Sequence, residues 1–495
     1  MQKQYVISRE QMYQLDQRTM QEFPISSQVL MEIAGLKATQ KIVDLFPINK
    51  YRYLILTNHG NNSGDGFVIA RWLKNMSADV EILFLGDEQK MSPETKNNYQ
   101  LCKKLECQFI SLEELSNNQI LPNTLVIDSL FGIGFQGLLK EPFYSLITEI
   151  NNLNLPRVSI DIPSGMNANT GEVKLAFKAD YTFTMAAVKQ GMLLNAAPFY
   201  CGKIDIIDIS IPDKYFQDLD SFSTVHTKMQ YPKRFKHSHK SNYGKILIIA
   251  GSPGFSGAAI LSAKACIKAG AGLVKLIHPK GMEPIFESAL TEVMTIGNTI
   301  ESDIDEYLTW SDALLIGPGL GQGKEAEHLL NRVLKYYTKP LVVDADGINL
   351  LAKNKQLILR TKAQLLLTPH IGEFSRLCAK TVDEIQKDLL KHARRFIKEF
   401  PISLLIKSSN TLYIDKNQAI FNVSGNDGLS TGGSGDVLAG IIISLIGQKM
   451  ELADAAINGS FYLGKLAEKM SESQETFSLI PTEIINNIGK INIKS

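Results

Sequence analysis

The chain has 495 residues, 44% hydrophobic and 21% charged, with 52 Lys and Arg against 51 Asp and Glu for a formal net charge of +1. That length exceeds what one hydrophobic core usually supports, so two domains are expected. The balanced charge removes the electrostatic case for a nucleic-acid partner, and no apolar run reaches bilayer-spanning length, so no membrane partner is expected either. Met1-Gln2-Lys3-Gln4-Tyr5 lacks the apolar stretch of a signal peptide. The five cysteines are scattered, form no Cys-x-x-Cys pair and share no ligand spacing with the eight histidines. Reduced thiols in a cytoplasmic protein are expected, and zinc is not.

In chain order, β-branched runs predict strands at 53–57, 80–85, 124–128, 157–161 and 181–185, with helical segments such as 66–75 and 142–151 between them. The alternation predicts a mostly parallel sheet with helices on both faces, in which ligands bind beyond the carboxyl ends of strands. Three strand ends carry unusual clusters. They are Gly60-Asn61-Asn62-Ser63-Gly64-Asp65-Gly66, then Gly132-Ile133-Gly134-Phe135-Gln136-Gly137-Leu138 after Asp128, then Ile162-Pro163-Ser164-Gly165 after Asp161. Asp128 or Asp161 alone reads equally well as a turn cap. Together with Asn62 and Ser164, their carboxylate, amide and hydroxyl oxygens suit a hard cation. Gly132-x-Gly134-x-x-Gly137 has the form of a dinucleotide fingerprint, a weak signal by itself. Lys189 is either a surface lysine or an acid/base or substrate-charge contact.

The stretch 211–240 is polar, holds Pro212 and Pro232, and ends in a basic run from Lys233 to Lys240, so it reads as a linker. Domains over 1–215 and 225–495 are expected. A second strand series is predicted at 245–250, 273–277, 312–316, 340–344, 364–368, 403–407 and 411–415. Glycine loops follow at Gly251 to Gly257, just before Ala258, and at Gly317-Pro318-Gly319-Leu320-Gly321. His370 reads as a turn residue as readily as a ligand contact. A strand-end Lys407 followed by Ser408, Ser409, Asn410 and Thr411 suits a nucleotide phosphate or base edge.

Near the C-terminus, Gly432-Gly433-Ser434-Gly435-Asp436 feeds an apolar run to Gln448. A glycine-rich loop opening a helix is an anion-binding device, because free N–H groups and the helix dipole point at the ligand. A carboxylate there can take a proton from an attacking hydroxyl. A plain Asp N-cap would account for Asp436 but not for the glycines and hydroxyls before it. No Gly-x-x-x-x-Gly-Lys-Ser/Thr occurs, which excludes a P-loop NTPase.

On these clusters, with Met31-Glu32-Ile33-Ala34-Gly35 and Asp208-Ile209-Ser210-Ile211-Pro212, the first half resembles the NAD(P)H-hydrate epimerase domain. The second half resembles the nucleotide-dependent NAD(P)H-hydrate dehydratase. Its matching motifs are His239-Lys240, Tyr243-Gly244, Asp344-Ala345-Asp346, Thr368-Pro369-His370-Ile371-Gly372-Glu373 and the two glycine loops at 317–321 and 432–436. The resemblance implies two three-layer α/β domains, an N-terminal Rossmann-like epimerase fold and a C-terminal ribokinase-like fold. It also implies repair of NADH or NADPH hydrated at C6 of the nicotinamide ring. The first domain would interconvert R and S hydrates. The second would phosphorylate the S hydrate from ADP (ATP in some relatives) and eliminate phosphate, leaving NAD(P)H and AMP.

By motif match, Asp436 is the base and Gly435 contacts the nucleotide phosphate. Lys407, Ser408, Ser409, Asn410 and Thr411 would hold AMP, while Ala258, Gly319 and His370 would contact the hydrate. In the first domain Asn61, Asn62, Ser63, Gly64, Asp65, the 132–138 loop and Asp161 would bind the hydrate. Potassium would sit on Asn62, Asp128 and Ser164, and Asp161 with Lys189 would carry the proton chemistry. Magnesium would accompany ADP, and a homo-oligomer is expected. Ser63, Ser241 and Ser408 replace glycines usual in the family, and Tyr462 stands where a histidine is common. Serine is costly wherever φ is positive and can crowd a ligand on the backbone. Two other readings fit the same motifs: a ribokinase-like small-molecule kinase, and a dehydratase with a non-catalytic nucleotide-binding first domain.

Overall fold

The computed structural model describes residues 4–117, 120–219, 222–300 and 303–490. The chain forms two compact units, Met1–Thr224 and Val225–Ser495. Residues 211–224, inside the expected linker, belong to the first unit and include the short helix Asp213–Gln217.

The first unit is built on a seven-stranded, wholly parallel sheet. Its order is Gln108–Ile110, Val80–Phe84, Arg52–Thr57, Thr124–Ser129, Arg157–Ile160, Tyr181–Met185 and Lys203–Ile207. Both faces are covered, so the strands are near-continuous apolar runs whose successive side chains point to opposite layers. Tyr53 and Ile55 pack with Ala38 and Phe67, whereas Leu54 and Leu56 pack with Leu146 and Ile147. The strand order reverses between Arg52–Thr57 and Thr124–Ser129, which opens a crevice at their carboxyl ends.

Gln108–Ile110 and Lys203–Ile207, the two edge strands, went unforeseen because edges carry mixed polar residues and little apolar periodicity. The helix expected from residue 66 starts at Asn61, with Gly60 extended at its N-cap (φ −78°, ψ 171°). The Asn61–Gly66 segment is therefore the first turn and a half of a helix whose free N–H groups face the crevice, not a loop.

The second unit holds nine strands in the order Met294–Asn298, Leu273–Pro279, Lys245–Ile249, Ala313–Ile316, Leu341–Val343, Leu365–Leu367, Ser403–Ile406, Thr411–Ile414 and Ala419–Asn422. All pairings are parallel up to Ser403–Ile406, and the last two are antiparallel. Met294–Asn298, at a sheet edge, and Ala419–Asn422 were not anticipated. Helix Ser434–Gly447 is apolar all round and buried along most of its length, as a central helix must be. It lies against helix Ser256–Lys268, and a Cβ at Gly440 would come 2.3 Å from the Ser262 carbonyl, so glycine sets that approach. Among the described residues no helix is long and apolar enough to cross a membrane.

Candidate active sites

In the first unit a cavity of about 840 Å3 opens over the crevice, lined by Asn61, Asn62, Asp65, Gly132, Ile133, Gly134, Phe135, Asp161 and Lys189 among others. Lys189 ends the short strand Val188–Lys189, which is pinned in register beside Tyr5–Ile7. Its ammonium is almost wholly buried and donates to Asp161 Oδ1 (2.5 Å), Thr184 Oγ1 (3.0 Å) and the Met185 carbonyl (2.7 Å). The Met185 N–H also donates to Asp161 Oδ1 (3.2 Å). Asp161 is held in the left-handed region at φ +66°, directly after its strand. A Cβ at Gly132 would lie 3.8 Å from Asp161 Oδ2, so one carboxylate oxygen is anchored and the other faces the glycine loop.

Two more carboxylates face the same cavity. Asp16, from helix Arg9–Glu22, is pushed up to about pH 7 by burial and by Asp161, against the pull of Lys189. Asp65 is raised well above the carboxylate range by burial, then by Asp161 and Asp16. Three carboxyl groups around one lysine cannot all ionise, which makes the cluster a store of exchangeable protons.

Beneath the glycine loop Asp128 is fully buried. Its Oδ1 accepts from Ser164 Oγ (2.6 Å) and the Leu130 N–H (3.2 Å), and Oδ2 from the Ser164 N–H (2.8 Å) and Ser159 Oγ (3.1 Å). Burial raises its pKa to about 6 in spite of those donors. Asn62 donates through Nδ2 to the Phe131 carbonyl (2.9 Å), while its buried Oδ1 has no partner. Among the described residues no three His, Cys, Asp or Glu side chains form a metal cluster. A cation here would depend on amide, hydroxyl and carbonyl oxygens around one carboxylate.

The remaining sequence candidates divide. Ser63 does not crowd the cavity. It lies inside the helix with ordinary φ, accepts from the Asn58 N–H (2.7 Å) and donates to the Ser129 carbonyl (2.6 Å). Gly64 packs against Met31, where a Cβ would come within 2.6 Å of its thioether. Gln136 and Leu138 line a neighbouring hollow rather than the main cavity, and neither hollow has Gly137 in its wall. Ser241 and Ser408 also avoid positive φ. Tyr462 accepts the Gly489 N–H (2.8 Å), a tether for the last helix.

In the second unit Gly433 is the N-cap of helix Ser434–Gly447 at φ +98°, so Asp436 sits in the first turn rather than at the cap. Space is open beside Gly432, and the buried Ser434 hydroxyl has no partner. Lys407 donates to the buried Asp344 (2.8 Å), and a Cβ at Gly435 would lie 3.3 Å from its Nζ. Burial disfavours its charge, but Asp344, Glu373 and Asp436 outweigh burial and raise its pKa. Asp436 is pushed up to about 7, first by burial and next by Asp344, with Lys407 opposing.

His370 caps helix Ile371–Cys378, its Nδ1 accepting from the Gly372 and Glu373 N–H groups. Burial and Lys407 lower its pKa, and Nε2 lies 3.5 Å from Glu373 Oε1. Gly319 (φ +58°) lies against Ala258, whose Cβ would be 3.0 Å from one placed at Gly319. Ser408 Oγ closes its loop on the Asn410 carbonyl (2.6 Å), and Thr411 opens the hairpin strand. Sequence reasoning missed Asp16. The helix start was legible in the Ser8-x-x-Gln11 capping box, from which Asp16 follows on the inward face.

A parallel sheet with a glycine-capped helix and buried carboxylates at its carboxyl edge, repeated in two units, defines a two-domain α/β enzyme acting on nucleotide-type substrates. Comparison with known proteins narrows this. A family model described as NAD(P)H-hydrate dehydratase matches residues 246–490, and one described as YjeF-related protein N-terminus matches 27–191. The chain is 33% identical over 505 residues to the bifunctional NAD(P)H-hydrate repair enzyme Nnr of Moorella thermoacetica, covering 97% of this chain and 95% of the relative. It is 32% identical over 481 residues to its counterpart in Coxiella burnetii (94% and 95%). A solved ADP/ATP-dependent NAD(P)H-hydrate dehydratase from Bacillus subtilis, co-crystallised with ATP and Mg2+, is 26% identical with a TM-score of 0.47, covering 52% of this chain and 92% of that one. The chain belongs to the bifunctional NAD(P)H-hydrate repair enzymes.

Proposed function

We propose that the first unit interconverts the R and S hydrates of NADH and NADPH, and that the second dehydrates the S hydrate at the expense of ADP. The observation that carries the first half is Asp161, with one oxygen locked to Lys189 and the other facing the cavity. C6 of the hydrate bears both the hydroxyl and the ring nitrogen. A carboxylate that takes the hydroxyl proton lets the C6–N1 bond break, leaving an aldehyde at C6 and the electron pair on N1, which takes a proton. N1 then loses that proton as it adds to the other face of the aldehyde, and the new hydroxyl is reprotonated, giving C6 of the opposite hand. Lys189 holds Asp161 in place, and Asp16 and Asp65 exchange protons with it.

Potassium fits Asn62, Asp128 and Ser164, since the unpartnered Asn62 Oδ1 and the unneutralised Asp128 both lack a positive partner. When bound it would supply positive charge beneath the glycine loop.

In the second unit Asp436 accepts the C6 hydroxyl proton as that oxygen attacks the terminal phosphoryl group of ADP. The N–H groups of Gly435 and its neighbours, with Lys407, meet the phosphate charge. Hydroxide is a poor leaving group and phosphate a good one, so the phosphorylated hydrate then breaks its C6–O bond and expels phosphate with help from the ring nitrogen's lone pair. Loss of a proton from C5 restores the C5–C6 double bond of the reduced nicotinamide. Magnesium would enter with the nucleotide and offset the charge of its phosphates. ADP rather than ATP as donor, and assembly as a homo-oligomer, belong to the same proposal.

The test uses the whole chain, an R/S mixture of NADH hydrates and ADP, followed by near-UV absorbance. Full recovery of NADH with stoichiometric phosphate supports both activities. Recovery that stops at the S fraction leaves a dehydratase alone, and none with ADP or ATP overturns the repair reading.

A further inference from the structure

A second hollow, of about 480 Å3, lies over the ends of strands Arg52–Thr57 and Val80–Phe84. It shares Asn58, His59, Phe131 and Phe135 with the main cavity, so the two are continuous. A dinucleotide with its hydrated ring at Asp161 can extend its other half from the main cavity into this hollow. In a sheet of this strand order the adenosine ribose falls beyond Val80–Phe84, the strand next to Arg52–Thr57. An acidic residue there receives a free ribose 2′-hydroxyl, and basic groups accommodate a 2′-phosphate.

Here the acidic residue is Asp87, and it is occupied. Its Oδ1 accepts the Gln89 N–H (3.0 Å), and Oδ2 lies 3.5 Å from Lys90 Nζ. Lys140 lines the same hollow and, among the described residues, forms no ion pair. Asn58 is 5% exposed and its Oδ1 has no partner, which leaves an acceptor for a ligand donor in the shared wall. Phe131, Phe135 and Phe143 form an aromatic wall, with ring centroids 5.1 and 4.8 Å from that of Phe131, on which a purine can stack.

We infer that this hollow is the adenosine subsite and that Lys140 reads a 2′-phosphate, so that the first unit prefers the hydrate of NADPH to that of NADH. The inference rests on the epimerase reading of the adjoining cavity.

R-to-S interconversion of each hydrate is followed by NMR on the full chain without ADP or ATP, so that dehydration is silent. The wild type is expected to show a lower KM for the NADPH hydrate. Lys140→Gln should raise that KM roughly tenfold with little change in kcat, because one charge-assisted contact is lost, and so collapse the ratio of the two KM values. Lys140→Arg should restore it. Adenosine 2′-phosphate should compete in the wild type better than inorganic phosphate does. Equal KM values in the wild type, a ratio unmoved by Lys140→Gln, or competition no better than inorganic phosphate each overturns the inference. No interconversion of either hydrate overturns the epimerase reading itself.

Discussion

Removal of Asp344 and removal of Lys407 shift Asp436 in opposite directions, which pH can read. With Asp436 titrating at about 7, roughly one-tenth of the base is ionised a pH unit below that value and nine-tenths a unit above. Asp344→Asn removes the main carboxylate that raises it and takes the largest counter-charge from Lys407. Both changes stabilise ionised Asp436, and a charge at such range is worth about one to three units. The acid limb of dehydration should therefore fall to about pH 6 or below. At pH 6 the activity relative to plateau should rise from roughly one-tenth to at least half. Lys407→Gln removes the one attractive charge and should shift the limb upward. The assay is kcat/KM for pure S hydrate with saturating ADP over roughly pH 5.5 to 9, each variant normalised to its own plateau, so that weakened phosphate binding drops out. Limbs that stay put, or move the same way in both variants, would refute Asp436 as the titrating base.

Asp436→Ala should cut dehydration by a factor of about 10² to 10⁴ while R-to-S interconversion, followed by NMR without nucleotide, stays at the wild-type rate. Asn62→Leu should abolish the dependence of epimerisation on KCl at constant ionic strength, and an unchanged potassium half-saturation would remove Asn62 from the cation site. Asp16 has a folded pKa (about 7) above its unfolded one, so between about pH 4 and 7 folding binds a proton and stability falls as pH rises. Asp16→Asn should therefore stabilise the chain at pH 8, on the order of 2 kcal/mol after discounting for partial exposure, and have no effect near pH 3; denaturant midpoints at the two pH values decide it. Ser63→Gly should cost about 1–2 kcal/mol in the same assay without speeding epimerisation, since it deletes two buried hydrogen bonds and relieves no crowding.

The central strands and both glycine-capped helices were legible because buried parallel strands are continuous apolar runs and glycine clusters are rare. What escaped was decided by distance along the chain or by geometry. Asp16 arrives from a helix that precedes the sheet, so no strand-end rule points to it. Ser63 looked like an intruder in a glycine loop because the loop is a helix, where serine needs no positive φ and can reach the Asn58 N–H. The 132–138 loop read as a single contact surface, yet Gln136 and Leu138 turn into a second hollow that the loop shares with the main cavity through Phe135.

Asp161 occupies a backbone conformation that asparagine tolerates nearly as well and glycine better. Relief of backbone strain alone would favour glycine at 161. The same substitution would strand the Lys189 ammonium without a counter-charge and take away the cavity's base. That stranded buried charge costs more than the relieved strain returns, so thermal hardiness and epimerase chemistry hold position 161 to aspartate together, and a screen for survival of the fold already guards the cavity's base.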